Sequence, residues 1–504
     1  MTTKELLELQ TKRSAKSGTG GINVAESSTY DSVLSDCRKF IEEHSVQYRD
    51  LYPAQKREKI KEIITDFVMD TKPVVEGFKD ESNLPDTQKL SNKLIEDILN
   101  YGILTNAMED ESVFEIRANG QEIKVEKNGR VVDLTDNTGK IIRFESPEQQ
   151  EIIMRKLMGD ARLTPKDQLV NSRTLEGFRI AAVHSSAMSP DPQDPTAPKY
   201  HSFVLRKFKK SKMDLGQIVQ FKTLSDNMAR LLALCPAGGL TFFTVGPTAS
   251  GKTTTNNAIL QAVPATTRTV LIQNPSEIDL RFKDDTGRVY NDVLHLEAKE
   301  EENPTPTDAT MENIMDHTLR LSPTFVCLGE IRSNKEFKQA MKIMQAGHPI
   351  NTTFHAESSE GAVQRFLTAY LATSGNEPSH LALRTLTGLV NLIIVQKIMR
   401  DGKRRIIQIS EVVGVDPNDQ EKPLINDLYI FDIDKDPELN PDGTVKEIHG
   451  THKRVGKLSD RLVRKFKLEG VADRRFDFMM KELSNTEVET YTGKNINEYG
   501  IDKK

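Results

Sequence analysis

Nine residues, Gly246-Pro247-Thr248-Ala249-Ser250-Gly251-Lys252-Thr253-Thr254, stand between the apolar run Thr241 to Val245 and a helix-like stretch. The first eight, Gly246 to Thr253, fill the pattern G-x-x-x-x-G-K-[ST]. Where a strand leads into such a loop and a helix leads out, successive backbone N–H groups and the helix N-terminus wrap a phosphate. Lys252 then reaches the β/γ oxygens and the Thr253 hydroxyl holds Mg2+. Hydrolysis also needs a carboxylate near the attacking water. In TFVCLGEIR the apolar strand Phe325 to Leu328 ends in Gly329-Glu330, which puts Glu330 at the carboxyl edge of a sheet, where ligands sit in such folds. Glu330 is therefore the candidate base, and through a water a candidate Mg2+ contact. In QAGHPINTTFHAES, His348 follows a helix and His355 closes a strand. A helix-dipole partner accounts for His348; His355 suits either a structural role or the sensing of a γ-phosphate.

These residues need a framework. From about residue 222 the pattern is α/β, with buried-type strands at 241–245, 269–273, 324–328 and 350–354 alternating with helical stretches, which predicts a parallel sheet with right-handed crossovers. Asp401-Gly402 between two apolar runs predicts a hairpin. Upstream, residues 106–221 read as an α+β domain. Asn119-Gly120 and Asn128-Gly129 mark the turns of a three-stranded meander, followed by a helix, two strand-like pieces and a four-proline loop from 187 to 200. Residues 30–105 show three amphipathic stripes: Val33, Leu34, Cys37, Phe40 and Ile41; Ile60, Ile63, Ile64, Phe67 and Val68; and Leu90, Leu94, Ile95, Ile98 and Leu99. They predict a small helical bundle. Residues 1–29 are polar and aperiodic, which predicts a disordered arm. The stretch 416–504 reads as a C-terminal extension without an assigned role.

Composition narrows the classes. At 504 residues the chain exceeds one ordinary core. Its three cysteines, Cys37, Cys235 and Cys327, follow no metal or disulfide spacing and read as packing residues in a reduced compartment. The start lacks an apolar leader and no run is long enough to span a bilayer, so a soluble cytoplasmic protein is expected. A net charge of −5 and the absence of Trp argue against a dedicated nucleic-acid binder. The one compact basic run, RKFKKSK at 206–212, has Phe208 as its single aromatic and lacks the interleaved set that stacks single strands.

In this order the pieces resemble the secretion ATPase superfamily of type II secretion, type IV pili and type IV secretion. IEDILNYGILTNAMEDESVFEIRANGQEIKVEKNGRVVDL and ISEVVGV are similar to segments of the CpaF-type ATPases of Tad (Flp) pili, and the resemblance covers about residues 90 to 433. It implies a RecA-like P-loop ATPase core behind an N-terminal α+β domain, a ring of usually six copies, and ATP with Mg2+ held between the two domains. A polytopic inner-membrane platform protein is the implied partner, with the ring peripheral at the inner face of the cell membrane. Lys252 and Thr253 match the phosphate loop, Glu330 the Walker B glutamate, and His348 and His355 the His box. NSRTLEGFRIAAV, FVLRKF and LRLSP supply Arg173, Arg179, Arg206 and Arg320 as the implied phosphate-gripping arginines. One departure stands out. Where the family's Asp box carries carboxylates, this chain has IQNPSEI, with Gln273 and Asn274 as amides and only Glu277 acidic. The resemblance thus implies an ATP-hydrolysing motor for pilus assembly or related secretion. The alternatives are a conjugation or type IV secretion ATPase handling protein or DNA, and a nucleotide-binding scaffold ring with little hydrolysis.

Overall fold

The computed structural model describes residues 29–48, 51, 53–79, 84–127, 130–159, 161–189, 194, 197–207, 213–274, 277–299, 305, 307–483 and 488–493. The polar arm before residue 29, the Asn128-Gly129 turn, Pro190, Pro192 and Pro195 of the proline loop, and residues 208–212 of the basic run lie outside them. The chain divides into two compact units, Met1–Lys210 and Ser211–Lys504.

In the first unit, α1 (Tyr30–Glu43), α2 (Pro53–Thr71) and α3 (Thr87–Leu99) each bury one apolar stripe in a shared core. Spacings of three and four put those side chains on one face of each helix. The Thr29 hydroxyl and the Asp86 carboxylate accept first-turn N–H groups of α1 and α3, which closes ends that would otherwise be unsatisfied. A short α4 (Thr105–Glu109) leads to β1 (Val113–Asn119), β2 (Glu122–Lys127) and β3 (Arg130–Asp133). These are followed by α5 (Pro147–Met158), β4 (Leu169–Arg173), β5 (Arg179–Val183) and β6 (Ser202–Arg206). The six strands form one antiparallel sheet in the order β3-β2-β1-β6-β5-β4. Its first turn is shifted by one residue from the expected Asn-Gly position. Asn119 stays in the ladder, paired with Glu122 and Ser202, so the two-residue loop is Gly120-Gln121, and of Asn119 and Gly120 only the glycine takes a positive φ, 66°.

The second unit begins with α6 (Leu215–Gln220), α7 (Asp226–Ala237), β7 (Phe242–Val245), α8 (Lys252–Leu260), β8 (Thr269–Gln273) and β9 (Val293–Glu297). It continues with α9 (Met311–Thr318), β10 (Phe325–Leu328), α10 (Asn334–Gln345), β11 (Ile350–Phe354), α11 (Ser359–Leu371), α12 (Ser379–Leu389) and β12 (Leu392–Ile398). Next come β13 (Arg404–Asp416), β14 (Asp419–Ile433), the short pair β15 (Glu438–Leu439) and β16 (Val445–Glu447), β17 (Gly450–Arg454) and α13 (Asp460–Leu468). A nine-stranded sheet runs β17-β14-β13-β12-β7-β11-β10-β8-β9. From β12 to β9 neighbours are parallel, and β13, β14 and β17 are antiparallel. Successive strand residues serve opposite faces: Phe242 belongs to the core with α6, α7, α8 and α13, and Phe243 to the core with α10, α11 and α12. Residues 215–220 and the tail beyond 416, expected outside the α/β region, contribute Leu215, Tyr429, Phe466 and Phe476 to that first core. The Asp401-Gly402 hairpin joins β12 to β13, with Gly402 at φ 77°. All three cysteines are buried and free, and burial pushes each thiol pKa up. Among the described residues no helix is long and apolar enough to cross a membrane.

The tail also carries a titrating group. His452 on β17 is 2% exposed; its Nε2 donates to Ile406 O at 2.9 Å, and burial pushes its pKa from 6.5 down to about 4. The unfolded chain takes up this proton near pH 6.5 and the folded chain only near pH 4. Stability is therefore full above about pH 6.5 and falls as the pH drops towards 4, by on the order of 3 kcal/mol in total. Denaturant unfolding at pH 7 and pH 5 should show a smaller difference in His452→Gln than in the unmodified chain; equal differences contradict this.

Candidate active site

The strand order decides what meets at the sheet edge. β7 lies between β12 and β11, with β10 and β8 beyond. Parallel pairing sets Val245 beside Phe354 and Val395, and Leu328 beside Thr352 and Ile272. The residues that follow these strands therefore converge on one carboxyl edge.

The loop after β7 turns through Gly246 at φ 151°, Ala249 at φ 61° and Gly251 at φ 92°. A positive φ at Ala249 is strained and tends to occur where function holds it. α8 starts behind Gly251 without a side-chain cap, whereas Ser or Thr side chains cap α7, α9, α10 and α11. The bare first-turn N–H groups of α8 are suited to phosphate oxygens. Lys252 Nζ donates to Gly246 O and Pro247 O, both at 2.9 Å, and stands 3.5 Å from His355 Nδ1. Ser250 is fully buried, and its Oγ has no hydrogen-bond partner among the described residues. Buried hydroxyls are normally bonded, so this orphan fits an oxygen-rich ligand in the loop. Arg404 Nε, from β13, donates to Ala249 O at 3.0 Å. Beneath the loop, fully buried Asn256 and Asn351 exchange side-chain bonds of 2.7 and 2.8 Å, and Asn351 Nδ2 reaches Phe242 O at 3.3 Å. This polar pair ties α8 to β7 and β11.

Glu330 follows β10 by two residues. Arg332 donates to its Oε2 from Nε at 2.8 Å and from Nη2 at 2.6 Å. Its Oε1 lies 3.6 Å from His355 Nε2, and the other ring nitrogen, Nδ1, lies 3.1 Å from Gly246 O. Burial works against the Arg332 charge, but Glu330, Glu336 and Glu277 outweigh it and raise its pKa. Carboxylate, histidine and phosphate loop are thus linked through one imidazole. Arg332 was not among the sequence candidates. Its signal was present: spaced by two from Glu330, it can return to the same side of an extended segment.

Gln273 ends β8 and is 1% exposed. Its Oε1 accepts the N–H of Glu277 at 2.9 Å and of Ile278 at 2.6 Å, while Nε2 donates to Ile278 O at 2.9 Å. Only an amide can do both. Gln273 therefore pins the chain that returns from Glu277, and its carboxamide is engaged by backbone. Asn274 follows half-buried, and Glu277 is exposed. In Gln273→Glu a carboxylate oxygen would face Ile278 O with no proton to share, so stability should fall by about 1–3 kcal/mol, without a gain in nucleotide turnover. Denaturant midpoints check this; an unchanged midpoint contradicts it.

The remaining candidates divide by position. In the first unit the strand register pairs Arg173 with Arg179 and Arg179 with Arg206, followed by Glu115. The neighbours Ile180, Phe203 and Leu205 are buried, so the three arginines form a row on the other, outward face. Like charges placed opposite one another are unfavourable without an anion or acidic partner. In the second unit Arg320 precedes β10 and His348 precedes β11. Both lie at the amino edge of the sheet, away from Glu330 and His355 at the carboxyl ends of the same strands. For Mg2+, the half-buried Thr253 hydroxyl and the Glu330 carboxylate offer the hard oxygen donors that the ion prefers. Bound there, Mg2+ would supply charge neutralisation on phosphate oxygens.

The family described as Type II/IV secretion system protein matches residues 100–424. An uncharacterized protein of Methanocaldococcus jannaschii is 29% identical over 248 residues, 49% of this chain and 40% of that protein. The type IV secretion system protein VirB11 of Brucella suis is 31% identical over 213 residues, 39% of this chain and 56% of VirB11. The chain thus spans about half the length of these curated relatives. The type II secretion system ATPase E of Vibrio cholerae is 25% identical over 327 residues, 64% of this chain and 59% of that protein. Among solved structures, the Legionella pneumophila ATPase DotB aligns over 63% of this chain and 81% of its own, with 19% identity and a TM-score of 0.45. The parallel sheet, the phosphate-type loop after its central strand and the acidic residue two strands away make a mixed α/β, RecA-like core. The chain belongs to the type II/IV secretion system protein family.

Proposed function

We propose that the chain is a ring-forming ATP hydrolase that powers assembly of a type IV pilus of the Tad (Flp) kind, or a related secretion machine. The observation that carries this reading is the link from Glu330 through His355 to the loop that holds Lys252. The loop N–H groups and Lys252 bind the β/γ phosphates, with the Thr253 hydroxyl and Glu330 available to Mg2+. Glu330 Oε1 takes a proton from a water as that water's oxygen bonds to the γ-phosphorus; the bond from the γ-phosphorus to the β–γ bridging oxygen breaks, leaving ADP and phosphate. Arg332 keeps the other carboxylate oxygen engaged, which fixes the direction of Oε1. His355 senses the γ-phosphate because it contacts both Glu330 and the loop.

Arg173, Arg179, Arg206 and Arg320 are assigned to gripping phosphate charge in a hexamer, and His348 remains a partner of the helix end that it follows. A polytopic inner-membrane platform protein is the proposed partner, at the cytoplasmic face of the membrane; no nucleic-acid partner is proposed. The similarity of Ile95 to Leu134 to CpaF-type ATPases supports the pilus assignment. A scaffold ring without hydrolysis is less favoured, because the amide of Gln273 serves the backbone and leaves the role of base to Glu330. Phosphate release from Mg-ATP by the purified chain, beside Lys252→Ala, tests the reading. Lys252→Ala should lower turnover about 100-fold or more by removing a charge from the transferring group; comparable rates would contradict it.

A further inference from the structure

The hairpin that carries Arg173 and Arg179 is held at its tip by residues from outside its own sheet. Between the two arginines run Thr174, Leu175, Glu176, Gly177 and Phe178. Phe178 is buried in the core of the antiparallel sheet, whereas Leu175 packs against the core of the α1–α3 bundle. Glu176 is 4% exposed. It accepts the Tyr101 hydroxyl at 2.8 and 3.0 Å on its two oxygens and pairs with Arg57 of α2 at 3.4 Å. Arg57 also reaches Glu109 at 3.2 Å. Burial and the adjacent Glu176 charge raise the Tyr101 pKa well above its ordinary value, so the phenol keeps the proton it donates. Gly177 takes φ +91°, and a Cβ there would stand 3.1 Å from Lys56 Nζ, also on α2. Within the tip, Thr174 N–H donates to Phe178 O at 2.9 Å and Gly177 N–H to Thr174 O at 2.8 Å.

Topology makes this anchor consequential. β4 is an edge strand whose ladder partner among the described residues is β5, and its Ser172 hydroxyl also donates to Met158 O at 2.9 Å. The tip that follows directly after Arg173 is a further fixed point, and it is seated on the bundle through Leu175 and the Glu176–Arg57 pair. A buried carboxylate with a phenol and a guanidinium as partners has one good arrangement, and losing either partner leaves charge poorly compensated. We propose that the α1–α3 bundle and the segment that follows it position the arginine row of the ATPase, through Arg57 on α2, Tyr101 two residues past α3 and packed in the sheet's core, and Glu176, as positioning residues rather than catalytic ones. The inference rests on the reading in which Arg173 and Arg179 act on nucleotide.

The test compares kcat and KM for Mg-ATP in the full chain for Arg179→Ala, Tyr101→Phe, Glu176→Gln and the double variant Tyr101→Phe/Arg179→Ala, with hydrogen exchange read over residues 169–183. Tyr101→Phe should lower kcat about tenfold, the scale set by one hydrogen bond to a charged group, with KM changed less than twofold and faster exchange in 169–183 alone. Glu176→Gln keeps size and an acceptor for Tyr101, so it should fall between Tyr101→Phe and the unmodified chain. The double variant should lose less than the product of the two single losses, because part of the Tyr101→Phe effect acts through Arg179. If Arg179→Ala leaves kcat unchanged, the reading of the arginines fails and the inference with it. If Arg179→Ala lowers kcat but Tyr101→Phe and Glu176→Gln do not, or if the two losses multiply, positioning by the bundle is overturned while the arginine reading stands.

Discussion

Glu330→Gln is expected to lower ATP turnover by about 10²–10⁴-fold, the usual contribution of a positioned general base, while ATP remains bound. The substitution keeps shape. A glutamine can turn its carbonyl oxygen towards Arg332, which now donates to Oε2 from two nitrogens. What it cannot do is take the proton that Oε1, 3.6 Å from His355 Nε2, is placed to receive. Neither Glu277 nor Gln273 replaces it: Glu277 is exposed, and the amide of Gln273 is bonded to Glu277 and Ile278. Steady-state phosphate release and equilibrium ATP titration separate the two effects. Turnover within a few-fold of the unmodified chain would assign the base elsewhere.

Gly246→Ala should disable the loop itself. A Cβ at Gly246 would stand 1.9 Å from Gln396 O and 3.0 Å from Ser250 Oγ, at a φ of +151° that side chains rarely adopt. Gln396 cannot retreat easily, because β12 is held to β7 at Val395 and Val245 and to β13 at Gln396 and Ile406. Overpacking of this kind costs about 1–3 kcal/mol, and here the displaced backbone is that of the phosphate loop. Weakened ATP binding should accompany the fall in stability. Gly388 supplies the control: it sits in α12 with nothing within 4 Å of its would-be Cβ, so Gly388→Ala should be neutral or stabilise by up to about 1 kcal/mol. Denaturant midpoints and ATP titrations of both variants decide the matter, and equal behaviour of the two alanines would contradict this account of Gly246.

The parts of the site legible in the sequence are those whose chemistry is local. Gly251 and Lys252 after an apolar run, and Glu330 after another, announce a strand, a loop and a strand end within a few residues of each other. Patterns of period 3.6 likewise reveal α1 to α3, since each stripe is contained in one helix. Side chains whose partner is distant in sequence were not legible. Asn256 and Asn351 are 95 residues apart, and Glu176 meets Tyr101 across 75 residues and Arg57 across 119; no spacing rule joins such pairs. Gln273 was readable as a departure from a family pattern, but its meaning depended on a returning chain whose path is set by tertiary structure. The tail failed for a related reason. β14 and β17 are antiparallel additions at a sheet edge, with half-exposed, charge-bearing strands, and their mixed composition hides the alternation that marks a strand with one buried face.

The central claim is that Glu330 and the loop around Lys252 form a working hydrolytic site although the Asp box carries amides. Phosphate release from Mg-ATP by the unmodified chain, measured under conditions where ATP binding is independently saturated, addresses it most directly. The account predicts multiple turnovers per copy of the chain, lost when Mg2+ is chelated. Saturated binding without release of phosphate beyond a single equivalent would contradict it, and would make Gln273 and Asn274 the mark of a nucleotide-holding ring rather than a motor.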